Sequence, residues 1–219
     1  MTTPLSDVRG PGEAGRRLGG RRLGRRLTQL YVGIALYGAS LALLVRAELG
    51  VAPWDVLHQG LARQTGLSIG TWVLLAGLVV LLLWVPLRQR PGLGTLSNAL
   101  LVGVAVDATL ALVPPLPDRS PVAVALLLFA VGTVLNGLAT ALYIGARLGP
   151  GPRDGLMTGL AARGHSIRAV RTGLEVTVLT SGWLLGGTVG LGTVVYALSI
   201  GPLAHTLLPR FDVAAAPNS

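Results

Sequence analysis

The sequence contains no cysteine and no lysine, and it is short of charge and of aromatic rings: 12% of its residues are charged and 5% are Phe, Trp or Tyr. Without cysteine there is no disulfide framework, zinc–thiolate centre, iron–sulfur cluster or catalytic thiol. Soluble domains carry about 25% charged residues. So little charge beside 51% hydrophobic residues and a mean hydropathy of +0.65 leaves more apolar surface than one aqueous core can hide. The bilayer is the expected solvent. Familiar catalytic patterns are missing as well. The glycine-rich stretch 149–155 lacks the Gly-Lys-Ser/Thr ending of a phosphate loop, no Gly-x-Ser-x-Gly elbow or His-Glu-x-x-His helix occurs, and His58, His165 and His205 lack zinc-ligand spacing. The expectation is a chain that is not an enzyme, with no cofactor and no metal.

The net charge is +9, and all eighteen basic residues are arginine. Seven of them precede Leu27, opposed only by Asp7 and Glu13, and the pairs Arg16-Arg17, Arg21-Arg22 and Arg25-Arg26 run straight into an apolar segment. That is the pattern of a cytoplasmic anchor beside anionic lipid, so the basicity needs no nucleic-acid partner. No small-x-small cleavage site follows, which makes the first apolar segment a retained span rather than a signal peptide.

Six segments are long and apolar enough to cross a hydrocarbon core that takes about 20 helical residues: 27–45, 69–87, 95–113, 122–144, 167–186 and 192–208. With a cytoplasmic amino terminus, Arg88, Arg90, Arg147, Arg153, Arg163, Arg168, Arg171 and Arg210 fall inside, and only Arg46, Arg63 and Arg119 outside. Both termini are then cytoplasmic.

The chain also repeats itself. Leu49-Gly50-Val51-Ala52-Pro53-Trp54-Asp55-Val56-Leu57 returns as Leu148-Gly149-Pro150-Gly151-Pro152-Arg153-Asp154-Gly155-Leu156. Gly92-Leu93-Gly94-Thr95 returns as Gly190-Leu191-Gly192-Thr193, and Gly33 and Gly38 return as Gly132 and Gly137. A unit of this length is no solenoid repeat. Three spans per unit place the second copy in the membrane upside down, giving a 3+3 inverted repeat. The organisation read from this is a disordered arginine-rich cytoplasmic tail (1–26), repeat 1 (27–113), an external linker (114–121), repeat 2 (122–208) and a cytoplasmic tail (209–219). Segments 53–64 and 152–163, about 17 Å long as helices, are too short to span and either lie at an interface or re-enter. The fold class is an all-α polytopic membrane helix bundle of six transmembrane helices with one such short helix in each repeat.

The Leu-Gly-x-x-Pro-Trp-Asp-Val-Leu element, the Gly-x-Gly-Thr helix start and the Gly-Pro-x-Asp-Gly-Leu-Met element together resemble the YczE/YyaS/YitT family of bacterial integral membrane proteins, most closely its YczE branch. The resemblance covers about residues 31–208. It implies a multi-spanning protein of the bacterial plasma membrane and supplies no activity, substrate or site residues. The sequence lacks the additional soluble carboxy-terminal domain of many YitT-type members.

Pro53, Trp54, Asp55 and Pro152, Arg153, Asp154 are the candidate substrate-binding residues, because duplicated acids at two half-helix starts can converge on the pseudo-two-fold axis. The competing reading is that Pro-x-Asp simply starts a helix. Asp107 and Glu175 are candidate proton-coupling residues, as carboxyls within spans. Against that, Asp107 can reach an interface and Glu175 can pair with Arg171 one turn earlier. Asn98, Asn136 and Tyr196 are candidate pathway-lining residues or, equally, interhelical hydrogen-bonding groups. His205, the counterpart of Asp107, reads as interfacial. The leading functional expectation is a small secondary transporter or exporter of an unidentified small molecule, working alone or as a homodimer. The alternative is a non-transporting membrane factor that docks a protein partner through glycine-rich faces such as Gly155 and Gly159.

Overall fold

The computed structural model describes the backbone over residues 12–213 and side chains over 23–213. Among the described residues there are eight helices and no strand: α1 (Gly12–Ala47), α2 (Pro53–Thr65), α3 (Ile69–Leu87), α4 (Leu93–Leu112), α5 (Val122–Gly145), α6 (Pro152–Ala161), α7 (Ile167–Leu184) and α8 (Leu191–Phe211). The expected polytopic helix bundle is present. Five helices, α1, α3, α4, α5 and α8, are long and apolar enough to cross a membrane. The sixth expected span, α7, falls short on composition because it carries Arg168, Arg171 and Glu175. Residues 12–26, expected as disordered tail, continue α1 as helix, while 1–11 and 214–219 lie outside the described residues.

Large side chains on the outer faces, among them Val79, Leu82 and Val85 on α3, Leu126 and Leu127 on α5, and Val194 and Leu198 on α8, are exposed. Surfaces of that kind belong against lipid. Since lipid tails are as apolar as leucine, the helices are held instead by close packing and interhelical hydrogen bonds. The glycines do this at the centre. α1 and α5 run antiparallel, with Arg26 and Gln29 donating to the carbonyls of Ala146, Arg147 and Leu142 at one end. A Cβ at Gly33 would meet Tyr143 N at 2.8 Å, and one at Gly132 would meet Leu44 Cγ at 3.1 Å. Gly38 seats Ala105 and Val106 of α4 against α1, and Gly137 seats Leu203 of α8 against α5.

The bundle therefore has two ends: the Arg26 end, where α5 and α8 finish, and the Arg46 end, where Arg46 donates to the Leu110 and Val113 carbonyls as α4 finishes. At the Arg46 end the chain leaves α1 through Glu48 (φ 55°) and Gly50 (φ 112°), and at the Arg26 end it leaves α5 through Arg147 (φ 53°) and Gly149 (φ 129°). Each turn docks on the start of a distant helix. Gly192 N donates to Leu49 O and Gly94 N to Leu148 O, both at 2.8 Å. The two left-handed glycines leave no room for a side chain, since a Cβ on either would lie 2.6 Å from a threonine hydroxyl, Thr193 for Gly50 and Thr95 for Gly149.

From these ends the chain runs into the bundle, turns, and returns as a short helix. α2 comes back to the Arg46 end, where the side chains of Arg63 and Gln64 donate to the Gly186 and Leu185 carbonyls. α6 comes back to the Arg26 end, where Gly159 packs on Leu87 and Gln89 and Arg163 donates to Pro86 O. α2 packs on α7 and α3, α6 packs on α3 and α7, and α3 packs along α4, but α7 and α8 barely touch.

The tightest of these contacts is Gly155 under Trp84, whose indole also donates to Pro152 O at 3.0 Å. A Cβ at Gly155 would lie 1.9 Å from Trp84 Cζ2. We expect Gly155→Ala to cost about 1–3 kcal/mol by overpacking, while Gly173→Ala, in a helix with nothing within 4 Å, is neutral or gains up to about 1 kcal/mol. Size-exclusion profiles of heated, detergent-purified protein read both; equal melting of the two variants would refute the assignment.

Candidate functional site

The amino ends of α2 and α6 meet deep inside the bundle. Each starts without a side-chain cap, has proline in its first turn, where a missing N–H costs nothing, and carries one acid there, Asp55 or Asp154. The Arg153 guanidinium lies over the Trp54 ring, 4.7 Å from its centroid, and its Nη2 is 3.9 Å from Asp55 Oδ1. Asp55 is buried, and the same Oδ1 faces His58 Nδ1 at 3.2 Å, with His58 wholly buried. Asp154 Oδ2 accepts from the Tyr143 hydroxyl at 3.0 Å. Tyr143 in turn stands edge-on to Tyr37, 5.9 Å between centroids.

A second polar group lies beside it. Tyr196 donates to Asn136 Oδ1 and Asn136 Nδ2 donates to Ser40 Oγ, both at 2.7 Å, and Ser40 donates to Tyr37 O at 2.6 Å. These bonds tie α8, α5 and α1 together. By contrast, Trp54 Nε1, Asp55 Oδ2 and His58 Nε2 are buried without a protein partner among the described residues. An unsatisfied buried group costs about 1–3 kcal/mol, and three on one turn and a half of α2 mark a place built for more than packing.

Two cavities flank this meeting point, sharing Tyr37, Trp54, Tyr143, Arg153 and Asp154 in their walls. The smaller, of about 70 Å³, lies between α3, α4 and α6 and is lined by Val73, Gly77, Asn98, Ala99, Val102 and Pro152. The larger, of about 420 Å³, lies between α5, α7, α8 and the amino ends of α2 and α6, and its lining includes Arg171, Glu175, Tyr196, Ala197, Ile200 and Pro53. In the sequence echo, each residue of the first set is the counterpart of the residue in the same place of the second. The larger cavity reaches Ile144 and Leu208, at the Arg26 end of α5 and α8.

The structure thus gathers Pro53, Trp54, Asp55, Arg153, Asp154, Asn136, Tyr196 and Glu175 in or against the larger cavity, and Pro152 and Asn98 on the smaller. Glu175 is paired there with Arg171 Nε at 2.9 Å. Asp107 stands apart. It accepts from Ser68 Oγ at 2.6 Å and Gly70 N at 2.8 Å, clasping α4 to the first turn of α3. His205, read as interfacial, lines the larger cavity. Sequence reasoning missed His58, Tyr37 and Tyr143. His58 carries a signal in hindsight, since it lies three residues after Asp55 on the repeated element, on the same helical face. Tyr37 lies between the repeated glycines Gly33 and Gly38, and Tyr143 has no echo, its counterpart being Leu44.

Residues 24–209 match the model of a family of unknown function, DUF6198. An uncharacterized protein of Haemophilus influenzae is 41% identical over 187 residues, 84% of each chain. The uncharacterized membrane protein YczE of Bacillus subtilis is 34% identical, over 84% of this chain and 86% of its own, and the uncharacterized protein YyaS of the same organism is 30% identical, over 81% and 90%. No solved structure matches the chain. The matches to YczE and YyaS agree with the resemblance carried by the repeated Pro-x-Asp and Gly-x-Gly-Thr elements, and the chain belongs to this DUF6198 family, with a membrane helix bundle as its fold.

Proposed function

We propose that the protein is a small secondary transporter of the bacterial plasma membrane, built as a 3+3 inverted repeat around the meeting point of α2 and α6, with the Arg26 end cytoplasmic. The observation that carries this reading is the pair of cavities. Counterpart residues line both, yet one is about 70 Å³ and the other about 420 Å³. A protein whose two halves exchange these shapes would open the shared wall of Tyr37, Trp54, Tyr143, Arg153 and Asp154 to one side at a time, which is alternating access. The orientation is supported by Arg26, Arg147 and Arg163 at the Arg26 end. α7, too charged for a lipid-facing span, lines the open cavity with Arg171 and Glu175.

The closed side has an identifiable latch. Asp107 clasps Ser68 and Gly70, and Gly70 and Gly103 let α3 and α4 meet backbone to backbone. Their counterparts Ser166, Arg168, His205 and Gly201 are apart in the open half, where a Cβ on Gly201 would have nothing within 4 Å. In this reading Asp107 holds the outer gate, and Glu175, on the cavity wall, is the carboxyl placed to exchange protons. Gly155 and Gly159 pack inside the bundle against Trp84 and against Leu87 and Gln89. These two glycines are therefore not part of an open face to which a partner could dock.

A sequence without cysteine makes the test clean. Single Ala99→Cys and Ala197→Cys variants, on counterpart walls, are reacted with an impermeant maleimide in right-side-out and inverted vesicles. Ala197→Cys should label quickly from the Arg26 side alone, and Ala99→Cys slowly from the Arg46 side alone. Labelling of either from both faces would indicate a channel instead, and complete protection of Ala99→Cys would indicate a static factor. Adding Asp107→Ala should raise the Ala99→Cys rate several-fold and lower that of Ala197→Cys; no change in either rate removes Asp107 from the gate.

A further inference from the structure

We infer that the larger cavity is a binding site for a monovalent organic cation, an ammonium-bearing small molecule, held by the Asp154 carboxylate between the rings of Tyr37, Tyr143 and Tyr196. This deepens the transport reading above and rests on that cavity being its substrate site.

Charge around the cavity points this way. Three carboxylates, Asp55, Asp154 and Glu175, stand around the cavity with only two guanidiniums, Arg153 and Arg171, so one carboxylate is left without an arginine. Both cations are already engaged. Arg171 pairs with Glu175 at 2.9 Å, and Arg153 is laid on Trp54 beside Asp55. Asp154 alone among these acids has no arginine paired with it among the described residues, its Oδ2 accepting from the Tyr143 hydroxyl instead. It is half-buried on the cavity wall, within reach of a ligand.

The walls fit the same class. Three of the four tyrosines of the chain gather at this cavity, although aromatic residues are only 5% of the sequence. Ring faces attract cations, most strongly when water is excluded. The volume, about 420 Å³, lies in the range of small-molecule sites, roughly 300–1,000 Å³. The amino ends of α2 and α6 would favour an anion, but each is answered by the acid in its own first turn, Asp55 or Asp154.

The test is calorimetric titration of the full chain in detergent with benzyltrimethylammonium, with benzoate and benzyl alcohol as charge controls. Saturable binding of the cation, with neither control competing, is expected, and Asp154→Asn should weaken it roughly tenfold or more. Asp118→Asn, an exposed carboxylate in the loop after α4, should leave it unchanged. Equal binding by the Asp154→Asn protein overturns the inference. So does benzoate binding as tightly as the cation to the wild-type protein, a comparison that holds even where Asp154→Asn does not fold. Cation binding in micelles with no alternating cysteine labelling would sink the transport reading alone, and alternating labelling without cation binding would sink this one alone.

Discussion

Everything in this bundle depends on two pieces of extended chain, 49–52 and 148–151, that must enter an apolar interior with their backbone polar groups paired. Lipid offers no partner for an open carbonyl, so such segments survive only where protein or a wet cavity receives them. Here helix starts receive them. Leu148 O and Pro150 O are taken by Gly94 N and Thr95 Oγ1, and Leu49 O by Gly192 N. The glycines at 50, 92, 94, 149, 190 and 192 permit this contact, since a Cβ on any of them would lie 2.4–3.1 Å from its nearest neighbour. Once it is made, the amino ends of α2 and α6 have nowhere to go but the middle, and the site follows.

This contact is common to both halves, so the asymmetry of the structure lies outside it. The crossed docking of Leu49 on α8 and Leu148 on α4 is equivalent in both halves, as is the seating of Gly33 and Gly132 between α1 and α5. The difference lies in the outer pairs. α3 lies along α4, sealed by Gly70, Gly103 and Asp107, whereas α7 stands away from α8. Four helices, α1, α4, α5 and α8, and two docked turns thus form a common frame, and the freedom that remains is whether each outer pair is open or shut. Under the proposed mechanism this is the only movement needed, and it breaks no buried backbone contact of the frame.

Much of this was legible in the sequence. Apolar length gave five of the six expected spans, the charged α7 being the exception, and the doubled Pro-x-Asp element located both short helices to within two residues of their observed ends. What periodicity does not encode is which distant residues meet. That Trp54 lies under Arg153, or that Trp84 fills the space over Gly155, depends on how far each half-helix re-enters. Asp107 and Glu175 looked alike as acids in spans, yet one became a helix clasp and the other a cavity wall, because α4 packs along α3 while α7 stands away from α8. Tyr143 left no trace in the repeat at all.

The residues at the centre differ between the two echoed elements, and the difference has a physical consequence. Trp54 and Arg153 occupy equivalent places in the two copies and touch each other. Under the proposed inverted repeat this position lies on the two-fold axis and meets itself, so identical residues there would set arginine against arginine in a low-dielectric interior, or indole against indole with no cation to hold. Unlike residues at that one place turn a repulsion into a cation–π contact of the kind worth more when desolvated. The acids next to them need no such change, because each faces away from its counterpart toward a different partner, Asp55 toward His58 and Arg153, Asp154 toward Tyr143. The unlike pair at 54/153 therefore does more than avoid a clash. It engages one cation between Trp54 and Asp55 and leaves the second acid, Asp154, without an ionic partner on the wall of the open cavity.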